Sequence, residues 1–294
     1  MDSKVFKYVT DRFINLLNEE IIPWEQPWFK LHGDDRTHAW SHSTGKPYTL
    51  INQILLDKPG EYITWNQIQA EGGRVKEDRK KNYYPIYGYF KRSVDPEPAD
   101  GDEPDDTPKP DGYERWAYRY YNVYHMDDVE GIEPRFTQQL PEPKPLEERI
   151  AAAESVLWDY LVASGVGIDF VEDAQPVYDP ERDMVVLPLE EQFKSREYMY
   201  ATAFHELTHS TGHPDRLNRF GLEGVPIRDR ALEELTAEIG SAALLNWLGI
   251  ENDKTIRNNK AYIQSWKEAL EKDDKLIVRA SGRARKAVNL IFGD

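Results

Sequence analysis

At 294 residues the chain is longer than the roughly 100 to 200 residues of a usual domain, so two domains are expected. Its 39% hydrophobic and 31% charged residues are those of a globular protein, and no apolar run approaches the ~18 residues of a membrane span. The absence of cysteine excludes disulfides and thiolate ligands, and a net charge of −16 excludes a generic nucleic-acid binder.

In chain order, residues 5–22 carry apolar side chains at the spacing of an amphipathic helix, with Pro23 to end it. Asp11, Arg12, Glu19 and Glu20 interrupt any signal-peptide core, so a cytoplasmic location is expected. Residues 1–92 hold 14 basic and 12 acidic side chains, which leaves this part free to approach a polyanion. The aromatic runs 83–90 and 116–124 read as paired strands. Between them, residues 93–114 hold 1 basic and 9 acidic side chains, and the Pro-rich acidic stretch at about 95–112 reads as an inserted loop. Aromatic residues number 22 in the first 140 positions, a supply suited either to a packed core or to base stacking. Pro141, Pro143 and Pro145 make residues 141–146 a stiff linker, dividing a first domain (1–140) from a second (147–294), each with its own core.

In the second part, residues 146–163 predict a helix, and residues 174–189 a hairpin turning at 179–183. Its strand 184–187 offers itself as an exposed edge for an extended peptide, or as plain core. A helix over 195–211 should stop at Gly212, and another should run from about 230 to 248 and stop at Gly249. The fold class is therefore α+β.

His205-Glu206-Leu207-Thr208-His209 puts two imidazoles at i and i+4 on one helical face, within reach of one cation. Glu206 between them is placed to move the proton of an activated water, the chemistry of peptide hydrolysis. A catalytic zinc keeps three protein ligands and an open position. Glu234, in Glu233-Glu234-Leu235-Thr236-Ala237-Glu238, is the preferred third ligand, and Glu238, one turn on, would orient an imidazole. Asp215 is the alternative ligand, because His205 to Asp215 also fits H-E-x-x-H-x-x-G-x-x-D; Glu238 and Glu233 come next. Glu233 reads as a solvated acid at a helix start, and His213 as a loop residue or substrate contact. The ion is expected to be Zn2+ or another divalent metal such as Mn2+.

Two regions carry a family resemblance. The first comprises Val9-Thr10-Asp11-Arg12, Pro23-Trp24-Glu25-Gln26-Pro27-Trp28, Thr44-Gly45-Lys46-Pro47-Tyr48 with Asn52, Trp65-Asn66-Gln67, Gly72-Gly73-Arg74-Val75-Lys76 and Tyr121-Asn122-Val123-Tyr124. The second runs from His205 through Gly212-His213-Pro214-Asp215-Arg216-Leu217 to the Glu233–Glu238 segment. In both, the chain resembles the ArdC-type antirestriction proteins of conjugative plasmids; it departs from them at Glu77-Asp78-Arg79, where Gly-Glu-Lys is usual. The resemblance implies an aromatic-rich α+β domain that binds single-stranded DNA, joined to a zincin-like metallopeptidase domain similar to gluzincins and SprT-like proteases. It also implies protection of incoming DNA from restriction, acting on a protein substrate that the sequence does not identify. Lys46, Arg74, Lys76, Lys80 and Lys81 would then meet phosphates, and Trp24, Trp28, Tyr48 and Trp65 would stack bases, with Asn52 beside them. Two other readings use the same parts: a DNA-coating protein whose metal is structural, and a protease for DNA–protein crosslinks.

Overall fold

The computed structural model describes residues 2–23, 39–56, 58–94, 113–135, 144–220, 230–250 and 260–293. Trp24, Trp28, most of the acidic insert and linker residues 141–143 lie outside them.

The first half opens with helix α1 (Asp2–Asn18), which stops four residues before Ile22 because Glu20 turns the chain into the left-handed region at φ 58°. Strands β1 (Ala39–Ser41), β2 (Lys46–Pro47), β3 (Gly60–Thr64), β5 (Tyr84–Val94) and β6 (Tyr113–His125) form one sheet in the order β2-β1-β3-β6-β5. Only β1 and β3 run parallel. The expected pair of aromatic strands is β5 with β6, antiparallel from Tyr84↔Val123 to Val94↔Tyr113. Between β1 and β6 lie helix α2 (Leu50–Leu55), helix α3 (Trp65–Ala70) and strand β4 (Arg74–Val75), which pairs with β7 (Val129–Glu130). Thr64 and Gln67 form a reciprocal capping box that fixes the start of α3, and so the position of Trp65.

The second half begins with α4 (Leu146–Ser164), whose first turn holds Glu147 and Glu148 and whose end is set by Gly165 at φ 75°. Strands β8 (Gly167–Phe170), β9 (Val177–Asp179) and β10 (Met184–Leu187) follow, then helices α5 (Arg196–Ser210), α6 (Arg230–Trp247), α7 (Lys260–Lys272) and α8 (Leu276–Phe292). The predicted hairpin is β9 with β10. Met184–Leu187 is not a free edge, however: β10 lies in the middle of the order β8-β10-β9, parallel to β8 and antiparallel to β9. Both its sides are occupied, so the sequence expectation of a peptide-holding edge fails there. None of the described helices is long and apolar enough to cross a membrane.

The apolar side chains do not sort into one core per half. Tyr62, Tyr84, Ile86 and Val123 form a cluster within the first half, and Leu157, Leu187, Phe204 and Leu244 belong to one within the second. A third cluster joins Phe6, Val9, Phe13 and Leu17 of α1 to Leu235 and Ile239 of α6, Leu270 of α7 and Ile277 of α8. Helix α1 thus buries its apolar stripe against the helices of the other half.

Candidate metal centre

Helix α5 is capped by Ser195, whose hydroxyl accepts the N–H of Tyr198, and it is buried along most of its length. Helix α6 lies close beside it because Gly240 has no side chain; a Cβ there would stand 2.7 Å from Cγ2 of Thr208. This approach brings the start of α6 against His205 and His209. Their Nε2 atoms lie 3.1 Å apart, and the Glu234 carboxylate is 3.8 Å from each. One donor atom from each of the three residues falls within 4.8 Å of the others.

These separations suit a shared cation. Four ligands at zinc bond lengths in a tetrahedron sit roughly 3.3 Å apart. His209 gives its Nδ1 proton to Oε1 of Glu233 at 3.2 Å, so the lone pair of Nε2 is turned toward His205. At 3.1 Å the two Nε2 atoms can share a proton in a hydrogen bond, or both turn their lone pairs to one cation. Burial depresses the pKa of His209, but the hydrogen bond to Glu233 and the charges of Glu206 and Glu234 outweigh it and raise it. The same carboxylates would also attract a divalent cation, which must displace that proton to bind.

Glu233 is not the solvated acid expected of a helix start. It is buried, and it accepts from Arg219 through Nε at 2.9 Å and Nη2 at 2.7 Å as well as from His209. Burial alone would raise its pKa; the hydrogen bonds of His209 and Arg219, with the Arg219 charge, bring it down to about 2. Arg219 also donates to Oγ1 of Thr211 and to the Thr208 carbonyl, so it ties α6 to the end of α5. Glu238 is buried as well, with Oε1 3.9 Å from Nδ1 of His205, longer than a hydrogen bond.

The helix stops before Gly212 as expected, but not through a left-handed glycine. The helix ends in ordinary right-handed geometry at Thr211, and Gly212 is not among the positive-φ glycines. Its hydrogen side chain instead makes room for the Phe220 ring, while its carbonyl accepts the N–H groups of Arg219 and Phe220. The glycine thereby docks the returning loop that delivers Arg219. Asp215 stays away from the ligands: its side chain is exposed, and its N–H bonds to Nδ1 of His213 in its own turn.

Glu206 is buried and its Oε2 accepts the backbone N–H of Tyr178 at 2.9 Å. Strand β9 thus sets the orientation of this carboxylate. The Tyr178 hydroxyl donates to Asp183 at 2.6 Å, and Arg216 bridges Asp183, the Tyr178 hydroxyl and the Ser210 carbonyl. Burial tends to raise the pKa of Asp183, but hydrogen bonds from Arg216 and Tyr178 hold it below the usual carboxylate range. Sequence reading missed Tyr178, Arg216 and Arg219, because Tyr178 acts through the backbone N–H of a strand and both arginines through loop geometry, none of which periodicity encodes.

The residues expected to meet DNA are more scattered. Asn52 is buried and pairs twice with the Tyr87 backbone, at 2.7 Å in each direction, so it pins α2 to β5 rather than facing a base. Arg74 is paired with Glu130, Lys80 with Glu77, and Lys76 donates to the Asp127 carbonyl. Lys46 and Lys81 are exposed with no such partner among the described residues. Tyr48 is half-buried against Tyr62, and burial pushes its hydroxyl up to about 12. Trp65 is exposed, its ring 6.1 Å from that of Tyr124.

Comparison with known proteins places both halves. Residues 3–124 match the N-terminal domain of anti-restriction factor ArdC, and residues 157–283 match a zincin-like metallopeptidase. Two DNA primase TraC proteins of Escherichia coli are 33% and 31% identical over 97% and 95% of this chain. The chain spans only 26% and 19% of their length. An uncharacterised protein of Sinorhizobium fredii, y4eC, is 26% identical over 96% of this chain and 89% of its own. Crystal structures of the antirestriction protein ArdC of plasmid R388, metal-free and Mn(II)-bound, superpose with TM-scores of 0.69 and 0.68 at 26% and 27% identity. Each comparison covers 97% of this chain and 96% of the other. With both domains matched in this order and the solved ArdC fold shared over almost its whole length, the chain belongs to the ArdC-type antirestriction family.

Proposed function

We propose that this chain binds single-stranded DNA through its first half and hydrolyses a protein at the His205, His209 and Glu234 centre, protecting incoming conjugative DNA from restriction. The observation that carries the reading is the convergence of two imidazoles and one carboxylate, three protein donors among the described residues, beside the buried and oriented Glu206. A divalent cation such as Zn2+, or the Mn2+ held by the R388 relative, supplies Lewis acidity there. His205, His209 and Glu234 hold the ion. Glu233 accepts from Nδ1 of His209 and so favours the tautomer that keeps its Nε2 available, while Glu238 lies on the Nδ1 side of His205, beyond hydrogen-bond reach. Glu206 takes a proton from the attacking water and returns it to the departing amine, so the amide C–N bond breaks with no net change in the enzyme.

The DNA part of the reading is supported by an aromatic face. Tyr8, Trp65, Tyr83 and Tyr120 are each between 42% and 48% exposed. Tyr8 stacks on Tyr120 at 5.7 Å, and Trp65 and Tyr83 flank Tyr124 at 6.1 and 6.4 Å. Rings left in water at this density suit unpaired bases. Arg12, whose charge reaches the Tyr8 hydroxyl, has no acceptor for its Nε among the described residues.

The test is Glu206→Gln, assayed on fluorescein-labelled casein with and without a single-stranded oligonucleotide. The variant should lose at least 100-fold in cleavage while keeping its metal and DNA affinity. Parental cleavage by the variant would remove Glu206 from the mechanism. A parent chain that binds DNA and metal yet cleaves no protein would instead favour a DNA-coating role with a structural ion.

A further inference from the structure

The two halves meet around a cavity of about 310 Å³, walled by Tyr48, Thr49 and Leu50 from the first half and by Trp247, Arg285 and Asn289 from the second. That volume is at the lower end of small-ligand sites, enough for one nucleoside. Two walls are aromatic. Oγ1 of Thr49 is buried and has no hydrogen-bond partner among the described residues, a polar atom whose desolvation they do not offset. Trp247, 44% exposed, marks where the cavity reaches the surface.

Positive side chains gather around this cavity. Helix α8 carries Arg279, Arg283, Arg285 and Lys286 and no acidic residue. It does so in a half where, from residue 141 on, 28 acidic side chains outnumber 19 basic ones. Arg279 is held by Asp273, whereas Arg285 and Lys286 are exposed and make no ion pair with any described residue. Lys46 precedes Pro47, another wall residue, and is exposed without a partner in the same way. Aromatic walls, one unused hydroxyl, Arg285 in the wall and Lys46 and Lys286 next in sequence to wall residues suit a planar ring that hangs from an anionic backbone. An apolar peptide would leave both the hydroxyl and the cations unused.

Resting on the single-strand reading above, we propose that this cavity receives one base of the bound DNA. Tyr48 and Trp247 enclose the ring, Thr49 hydrogen-bonds its edge, and Arg285 and Lys286 meet the flanking phosphates. The metallopeptidase half is then part of the DNA site. Ala243 and Trp247, both at the cavity, share helix α6 with Glu234, roughly 14 and 20 Å away along the axis at about 1.5 Å per residue. One rigid helix therefore joins the base seat to the metal centre.

The test uses the full-length, zinc-loaded chain and a fluorescein-labelled oligothymidylate of twenty residues, read by anisotropy across a salt series. Arg285→Glu combined with Lys286→Glu, at exposed positions, should lower affinity about tenfold and reduce the slope of log affinity against log salt by about 1.4, two phosphates' worth. Ala243→Phe, which fills the cavity, should weaken binding and leave the slope unchanged. A 5-iodouracil oligonucleotide should crosslink to Tyr48 or Trp247. Zinc stoichiometry and thermal midpoint report the fold of each variant. If the parent binds and both variants bind with its affinity and slope, the cavity is not a base seat, although the aromatic face still stands. A parent that binds no oligothymidylate at all overturns this inference and the single-strand reading together.

Discussion

Replacing Glu233 with alanine separates a structural ion pair from a residue that tunes the metal. The carboxylate accepts three hydrogen bonds, one from His209 and two from Arg219, and the two charged side chains are only 4% and 5% exposed. Removing one partner leaves a guanidinium buried beside a cation site, at a cost of about 3 to 5 kcal/mol in folding stability. His209 loses the acceptor that fixes its tautomer, which should weaken metal binding by about 10- to 100-fold, or about 1.4 to 2.7 kcal/mol. Urea denaturation measures the first quantity, and zinc competition against a chromogenic chelator measures the second. The double change Glu233→Leu with Arg219→Met supplies the control, since an apolar pair of similar volume should recover most of the stability but none of the metal affinity. If the double variant binds zinc as tightly as the parent, Glu233 is only a packing device and its role at His209 is refuted.

Three further outcomes are expected. Glu234→Ala should abolish stoichiometric zinc binding, whereas Asp215→Ala should leave it intact in the same chelator assay, because Asp215 is exposed and turned into its own loop. Gly240→Val should force α5 and α6 apart against Thr208 and lower both the urea midpoint and zinc affinity, by about 1 to 3 kcal/mol in stability, and Thr208→Ala should restore part of each. The Asp183 carboxyl is held below its unfolded value, so its contribution to stability is complete above the ordinary carboxylate range and disappears as pH falls through its folded value. Denaturation midpoints of the parent and Asp183→Asn should therefore differ at neutral pH and converge in acid; a constant gap would disprove the coupling.

The helix bearing the two histidines is legible in the sequence because its cap, its length and its i, i+4 pair are all local. The place of Glu234 beside them is legible too, since a third oxygen donor was sought and a second helix offered one. Glu233 is not. An acid in a first turn usually stabilises the helix from solvent, and nothing in its own neighbourhood announces that Arg219 returns across the end of α5. Asn52 misleads for a similar reason: a polar residue among family motifs resembles a ligand contact, yet it satisfies backbone groups 35 positions away. The central place of β10 depends on a parallel partner, β8, that lies before the hairpin and leaves no pattern in it. Gly212 looks like a helix terminator, but its purpose is clearance for a ring eight residues on.

Helix α1 lends its greasy side to the opposite half, and this restricts how the protein can be cut or shuffled. A shortened chain ending near residue 140 would carry Phe6, Val9, Phe13 and Leu17 into water and invite aggregation, so a failed truncation would say little about which half touches DNA. Chimeras between relatives should exchange α1 together with α6, α7 and α8. The TraC proteins fit that constraint, for their similarity runs through 303 and 300 residues, both parts inherited as a single cassette inside a longer polypeptide.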